Sequence, residues 1–337
     1  MARAALKTFA TRAPFALSLS KGSARTDLFD VPRSYRGAAI VMAMLLAALA
    51  ATIAATLLWQ QQRWAGEYEH RRDQVQAQAL AMAGVQWARQ IVFENAPPSI
   101  VHLGQPWAFR LPSTPIENGS IGGYITDAQG RLNVNNLVAT GPGATAARAA
   151  LQRLFGELGV PAPLLNAIAD WVDADDQTTD GGGAEDSYYL AQTSAPRLAA
   201  NAPVRRVAEL LSVRGADPVL VARLRPFVDA LDAPTAINVN TAPAEVLVAA
   251  IGGLDASGAA ALVAGRMQTP FGSIADFRSR LPRPDLNIDE TILAVKSDWF
   301  VVSIEARQGD TVARARALFK RSAAAIEWPT VIWQTIE

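Results

Sequence analysis

An uncharged run from Ala38 to Trp59, made almost wholly of Ala, Leu, Ile, Val and Met, constrains this chain more than any other stretch. As a helix its 22 residues rise about 33 Å, enough to cross the hydrocarbon core of a bilayer. Arg33, Arg36 and Gly37 stand immediately before it. Positive charge resists translocation, so this order puts the N-terminus in the cytoplasm and the remainder of the chain beyond the membrane. The run passes directly into a helix-compatible polar segment with no small-x-small cleavage pattern, so the apolar part is expected to stay attached as a single membrane pass.

With 337 residues there is room for that anchor and one or two folded domains. Basic and acidic residues balance at 31 each, so no global charge draws the protein to nucleic acid or an anionic surface. The absence of cysteine excludes disulfides, thiolate metal sites and a thiol nucleophile. His70 and His102 lie far apart and read as surface or packing residues rather than zinc ligands. Residues 1–32 form a basic leader containing Ser and Ala, without periodicity. It is either a long cytoplasmic pro-segment or the product of a misplaced start codon, with Val31 as an alternative start.

Beyond the anchor, residues 60–98 read as the amphipathic half of the same helix. Val75, Ala79, Met82, Ala83, Trp87 and Ile91 share one stripe, and Asn95-Ala96-Pro97-Pro98 stops the helix. Residues 99–140 begin as a loop with Pro106, Pro112 and Pro115, in which His102, Trp107 and Phe109 help the packing. They continue as two strand-prone runs, 122–126 and 131–135, flanking Asp127-Ala128-Gln129-Gly130, which predicts a β-hairpin. Residues 141–295 are rich in Ala, Leu and Val with Pro and Gly punctuation, and predict helices over 144–158, 163–172, 204–212, 218–229, 242–250, 257–266 and 273–280. Residues 296–337 change to a two-residue alternation, with strands over 299–306, 311–321 and 325–335. Strands before and after a helical block imply that the block is an insertion, its flanking strands pairing in one sheet. The fold class is α+β.

The basic leader ending in Gly37, the apolar helix starting at Ala38 and its amphipathic continuation resemble the type IV pilins and the pseudopilins of type II secretion. The resemblance implies a membrane aspartyl peptidase, the prepilin peptidase, that cuts between Gly37 and Ala38 and methylates the new amine. Most members carry a glutamate five residues into the mature helix, where this chain has Met42. That carboxylate needs a partner charge, which in the family is taken to be the terminal amine of the subunit ahead. A subunit without a neighbour ahead gains nothing from it, and the member lacking it is the K-type minor pseudopilin, thought to sit at the pseudopilus tip. The K type implies a pilin-like fold, a long N-terminal helix on a small antiparallel sheet, with a large inserted all-α domain. It also implies an inner-membrane protein whose bulk is periplasmic, partnered by the I- and J-type minor pseudopilins. Val75, Met82, Val85 and Trp87 are the candidate contacts to partner helices, though the same residues could face the protein's own sheet.

Between Asp170 and Asp186 a glycine-broken segment carries seven carboxylates. Unpaired, such a cluster repels itself by about a kcal/mol or more per close pair. A hard divalent cation removes that cost, and calcium accepts mixed carboxylate and carbonyl oxygens in irregular geometry. The spacing is not that of an EF-hand: counted from Asp173, the glycine position holds Thr178 and the bidentate position Ala184. Asp-Trp-Val-Asp-Ala-Asp followed by Gly-Ala-Glu-Asp-Ser-Tyr-Tyr resembles a K-type signature, which implies calcium in the inserted domain. The candidate ligands are Asp173, Asp175, Asp180, Glu185 and Asp186, with Asp176 in reserve. No nucleophile, histidine or sugar platform accompanies these carboxylates, which argues against a hydrolase and for a non-enzymatic protein.

One internal repeat supports a rival. The runs 208–224 and 244–263 each predict two short helices joined at a glycine turn, similar to the helix-hairpin-helix of DNA-binding proteins. A membrane-anchored DNA receptor of an uptake system would carry such a motif. Phosphate binding there needs backbone N–H groups reinforced by Lys or Arg. The second hairpin instead offers Asp255 and no basic residue before Arg266, and the first sets Arg214 beside Asp217. The motif therefore reads as packing architecture, with no nucleic-acid partner expected.

Overall fold

A computed structural model describes residues 34–193, 195–286, 288–322 and 327–337. The expected leader, with Val31 and Arg33, lies outside the described residues. Contacts divide the chain into two compact units meeting between Ala65 and Gly66. In the first, the opening part of α1 (Ser34–Asn95) is long and apolar enough to cross a membrane, and every residue from Gly37 to Ala65 is exposed.

The second unit holds the rest of α1 and everything after it. Pro97 and Pro98 end the helix as the sequence requires. β1 (Leu111–Ile116) and β2 (Gly119–Asp127) follow, then the short β3 (Leu132–Asn133). Helices α2 (Ala144–Glu157), α3 (Ala162–Val172), α4 (Asp186–Leu190) and α5 (Pro218–Leu224) lead to β4 (Val228–Asp229) and β5 (Ile237–Asn238). After α6 (Ala244–Ala250), α7 (Ala256–Gln268) and α8 (Ile274–Ser279) come β6 (Leu293–Ala294), β7 (Trp299–Gln308), β8 (Thr311–Lys320) and β9 (Thr330–Ile336).

One five-stranded antiparallel sheet runs in the order β1-β2-β7-β8-β9. β2 and β7 are neighbours in unbroken register from Gly119 against Gln308 to Asp127 against Phe300, so everything between them is inserted into the sheet. The two-residue alternation of β7 and β8 divides their side chains. Phe300, Val302, Ile304, Ala315, Ala317 and Phe319 meet Ala77, Ala81, Val85, Ala88 and Val92 of α1 in one core. On the opposite face Trp299, Val301 and Leu318 pack with Ala128 and Leu231 of the insertion. The insertion has its own core, built from α2, α3, α6 and α7 around Leu151, Leu154, Ile168 and Leu247.

Three sequence expectations change. The hairpin across Asp127–Gly130 does not form: Asp127 caps a 3₁₀ turn there, and β3 pairs in parallel with β4 inside the insertion. The real hairpin is β1–β2, turning at Glu117-Asn118, where Asn118 takes φ 59, a left-handed position that asparagine tolerates. The stripe on α1 also shifts. Small residues, Ala77, Ala81, Gly84 and Ala88, face the sheet and allow close approach, leaving Val75 and Trp87 exposed and Met82 partly buried. Val85, expected as a partner contact, is fully buried against the protein's own sheet. Finally, α4 went unread in the sequence, and the helix expected over 204–212 is a 3₁₀ helix, Val207–Ser212.

Candidate functional site

α3 is an apolar helix with Leu164, Leu165, Ile168 and Trp171 turned into the core, and its last turn carries Asp170 in with them, fully buried. Asp173 follows as its C-cap residue, the amide donating to the Ala169 carbonyl. The chain then loops out and returns at Glu185, the residue before α4. Trp171 and Tyr189 lock the two ends of this excursion edge to face, ring centroids 4.9 Å apart, and the Tyr189 hydroxyl accepts from the Arg214 amide. Arg214 also donates through Nη1 to the Gly183 carbonyl at 3.0 Å.

This frame brings together one oxygen each from Asp170, Asp173 and Glu185, all within 4.8 Å of one another. The Asp170 Oδ2 accepts from the Thr179 amide at 3.0 Å, while its Oδ1, the Asp173 Oδ1 and both Glu185 oxygens are buried without a hydrogen-bond partner. Glu185 is only 3% exposed. Burial, then the charges of Asp170, Asp173, Asp175 and Asp186, raise its carboxyl to about 7. Burial, then Asp175 and Asp170, raise Asp173 to about 6, opposed by Arg148. A carboxylate set held this close, desolvated and lacking donors is one whose donors are supplied by something else. Gly183 makes room for it: a Cβ there would fall 2.1 Å from the Asp170 Oδ2. Gly181 and Gly182 take φ of 84° and 124°, turns open to glycine.

Of the expected ligands, Asp173 and Glu185 converge. Asp175 is near enough to act on both by charge, and its Oδ1 accepts from the Gln177 amide. Asp186 acts on Glu185 by charge but spends its Oδ1 on the Ala199 amide. Asp176 and Asp180 are exposed and outside the converging set, the Asp180 carbonyl instead accepting from Asn166. Asp170 was missed. It stands in an apolar helix rather than the glycine-rich loop, and a carboxylate between Ala169 and Trp171 on a core-facing stripe was the available signal.

The two helical hairpins exist, with Gly215 and Gly253 at φ 78° and 83° in their turns. Their N-terminal amides are already engaged: Asp217 caps α5 through the Leu220 amide and Asp255 caps α7 through the Gly258 amide. A carboxylate therefore occupies the place a phosphate would take. Nearby arginines turn inward onto helix C-termini, Arg153 donating to the Ala249 carbonyl and Arg223 to the Leu158 carbonyl. Gly37 and Ala38 lie exposed in α1.

A long helix that begins as an apolar, exposed span and later packs on an antiparallel sheet, with a helical domain inserted between adjacent strands, defines a pilin-like protein with an added α-domain. Two family models, both described as type II secretion system (T2SS), protein K, match residues 130–233 and 237–296 respectively. The type II secretion system protein K of Pectobacterium carotovorum subsp. carotovorum is 32% identical over 311 residues, 87% of this chain and 94% of the relative. That of Klebsiella pneumoniae is 31% identical over 85% of this chain and 92% of the relative. A chain in the crystal structure of the GspK-GspI-GspJ complex from the enterotoxigenic Escherichia coli type 2 secretion system shares the fold. It superposes with a TM-score of 0.65 at 24% identity, covering 82% of this chain and 99% of that one. The chain belongs to the protein K family of the type II secretion system, the K-type minor pseudopilins.

Proposed function

We propose that this protein is the tip subunit of a type II secretion pseudopilus, initiating or capping the fibre and thereby supporting export of folded proteins across the outer membrane. It acts as a structural component rather than an enzyme. The observation that carries the reading is α1: one helix supplies an apolar span of membrane length and then the packing surface for the sheet. Before assembly it would lie in the inner membrane, N-terminus cytoplasmic, and prepilin peptidase would cut after Gly37 and methylate Ala38. Met42 in place of a buried carboxylate suits a subunit with none ahead of it. The large insertion would block addition above.

The E. coli relative is crystallised with I and J proteins, which supports the corresponding partners here. Val75 and Trp87, exposed on the packed half of α1, are the side chains available to their helices, each worth about 1.5–3 kcal/mol if fully covered. For the acidic site the proposed occupant is calcium. Asp170, Asp173 and Glu185 would hold it, with Asp175 at the margin. The fit rests on four buried carboxylate oxygens without donors and an all-oxygen donor set suited to a hard cation. Calcium would supply charge neutralisation and pin α3 to α4. The DNA-receptor reading is weaker because both hairpin N-termini are filled by Asp217 and Asp255.

The test is disulfide trapping in cells, with Cys introduced at Val75 or Trp87 and along the first helices of the I and J proteins. Expected are K–I or K–J adducts, an N-terminus at methylated Ala38, and loss of export on deleting the gene. A mature chain beginning beyond Trp59, or unimpaired export without the protein, rejects the reading.

A further inference from the structure

The sheet face turned away from α1 is covered by the insertion only at one end. Where β7 and β8 run on past it, they meet the end of α5 across a cleft of about 760 Å³. Six arginines line that cleft, Arg110, Arg131, Arg225, Arg307, Arg314 and Arg316, against the carboxylates of Glu305 and Glu337. The alternation that sends Ile304, Ala306 and Ala315 into the core sends Glu305, Arg307, Arg314 and Arg316 outward. Arg131 is paired with Asp229 at 3.1 Å and Arg314 with Glu305 at 3.0 Å. Among the described residues, Arg110, Arg225 and Arg307 make no ion pair with a carboxylate, and Arg316 makes none in contact, acting on Asp229 by charge alone.

Nothing in the fold requires this concentration. Exposed strand positions accept any polar residue, and the register sets Arg307 opposite Val312 and Arg316 opposite Ser303, so neither answers a charge across the β7–β8 pair. Around the β1 edge from the basic cleft, on the α1 side of the sheet, lies an apolar pocket of about 220 Å³, floored by Trp107 and Ile125 and rimmed by Trp87, Phe109 and Tyr124. Arg110 divides the two, its guanidinium 4.4 Å from the centre of the Tyr124 ring, and both Arg110 and Tyr124 line each cavity.

The geometry points to a docking groove for an extended, acidic polypeptide segment of a second protein, its carboxylates on the free arginines and one large apolar side chain in the neighbouring pocket. Guanidinium forks match carboxylates in paired hydrogen bonds, and a flat aromatic rim suits an aromatic anchor. Glu305 and Glu337 within the cleft disfavour a uniformly charged polyphosphate. They suit a peptide, whose backbone N–H groups can donate to them.

The probe is a short fluorescent peptide of Asp, Glu, Gly and Ser with one Phe, titrated against the full chain in neutral detergent by anisotropy. Expected is binding that weakens with salt, and about tenfold or greater loss when Asp and Glu are replaced by Asn and Gln. Arg307→Glu with Arg316→Glu gives a similar loss, and Arg307→Gln with Arg316→Gln a smaller one in the same direction. Arg205→Glu with Arg206→Glu, away from the cleft, changes nothing. Phe109→Ser weakens the Phe-bearing peptide and leaves a Phe→Ala peptide unaffected. Equal binding of the neutral peptide, or indifference to both cleft pairs in chains of unchanged melting temperature, overturns the proposal. So does displacement by polyphosphate or anionic vesicles at lower charge concentration than by the peptide.

Discussion

Asp127 closes β2 with its carboxylate turned inward. Its Oδ2 accepts from Ser297 Oγ at 2.5 Å, Thr241 Oγ1 at 2.6 Å and Asn238 Nδ2 at 2.9 Å, and its Oδ1 from the Gln129 amide at 2.8 Å. Burial pushes this carboxyl up, and those four donors pull against it. Gln129 and Ser297 come from the two ends of the insertion and Asn238 and Thr241 from its middle, so one side chain ties the sheet to the helical domain. Asp127→Ala strands them, at about 1–3 kcal/mol for each that finds no substitute. The midpoint of thermal unfolding in detergent is expected to fall by up to about 2–4 °C per kcal/mol lost. Glu185→Gln is expected to act with opposite signs in two solutions. In chelator, at a pH above about 7 where the Glu185 carboxyl is ionised, it relieves repulsion from Asp170 and Asp173, up to about 1–4 kcal/mol per close pair, and raises the melting temperature. In calcium it removes a ligand, and the stabilisation calcium gives the parent is lost; an equal effect in both solutions rejects a cation site. The sequence displayed the cluster but not its membership. Count and glycine content drew attention to the exposed Asp176 and Asp180, whereas burial, which no count reveals, selects Asp170.

At the scale of elements, α1 and the β7–β8 hairpin were legible because each repeats one rule. An uncharged run of membrane length can hardly be other than helical, and strict alternation ended by Gln308-Gly309-Asp310 can hardly be other than a hairpin, with Gly309 supplying φ 53. β1 was not legible. Pro112 and Pro115 argue against a strand, yet β1 is an edge strand, where a missing N–H costs no ladder bond. Asn118-Gly119 was the turn signal passed over. The apolar stripe of α1 was drawn through Val75, Met82 and Trp87 with its facing left open between partner helices and the protein's own sheet, whereas close helix–sheet approach selects Ala77, Ala81, Gly84 and Ala88 with Val85 and Val92. Gly84 sets that approach, because a Cβ there would lie 2.9 Å from both Ile121 Cδ1 and Ile304 Cγ2. Gly84→Val is therefore expected to destabilise by about 1–3 kcal/mol through overpacking. Gly66→Ala, with nothing within 4 Å of the added Cβ, is expected to be neutral or to stabilise by up to about 1 kcal/mol. Melting curves of the two variants separate a packing constraint from helix propensity, and equal shifts contradict the packing account.

The second unit as a whole is one sheet interrupted by a domain with its own core. That plan was legible from the change of period on either side of the helical block, since strands that bracket helices in sequence close most simply by pairing with each other. The insertion's edges were harder to see. Leu132-Asn133-Val134-Asn135 reads as strand, but these residues belong to the inserted core, and a near-copy, Ile237-Asn238-Val239-Asn240, opens its second half. In each copy the first asparagine accepts from the amide two residues on, and a two-residue parallel pairing anchors the copy, with Val228–Asp229 or Leu293–Ala294. The packing of α1 on the sheet involves Ala77, Val85, Val302 and Phe319, none of which belongs to the core containing Leu151, Ile168 and Leu247. The proposed calcium site, at the ends of α3 and α4, touches only the inserted core. A ligand that binds the folded form stabilises what its site holds together, and local openings follow separately packed units. Hydrogen exchange of the full chain in calcium and in chelator is thus expected to differ by region. Chelation should lower protection in α3, α4 and the segment joining them, and to a lesser degree in α2 and α6, which share that core. β2, β7 and β8 should be unchanged below the temperature of global unfolding. A loss spread evenly over the sheet and the insertion would mean that the two cores open as one unit, and no loss anywhere would mean that the acidic cluster does not hold calcium.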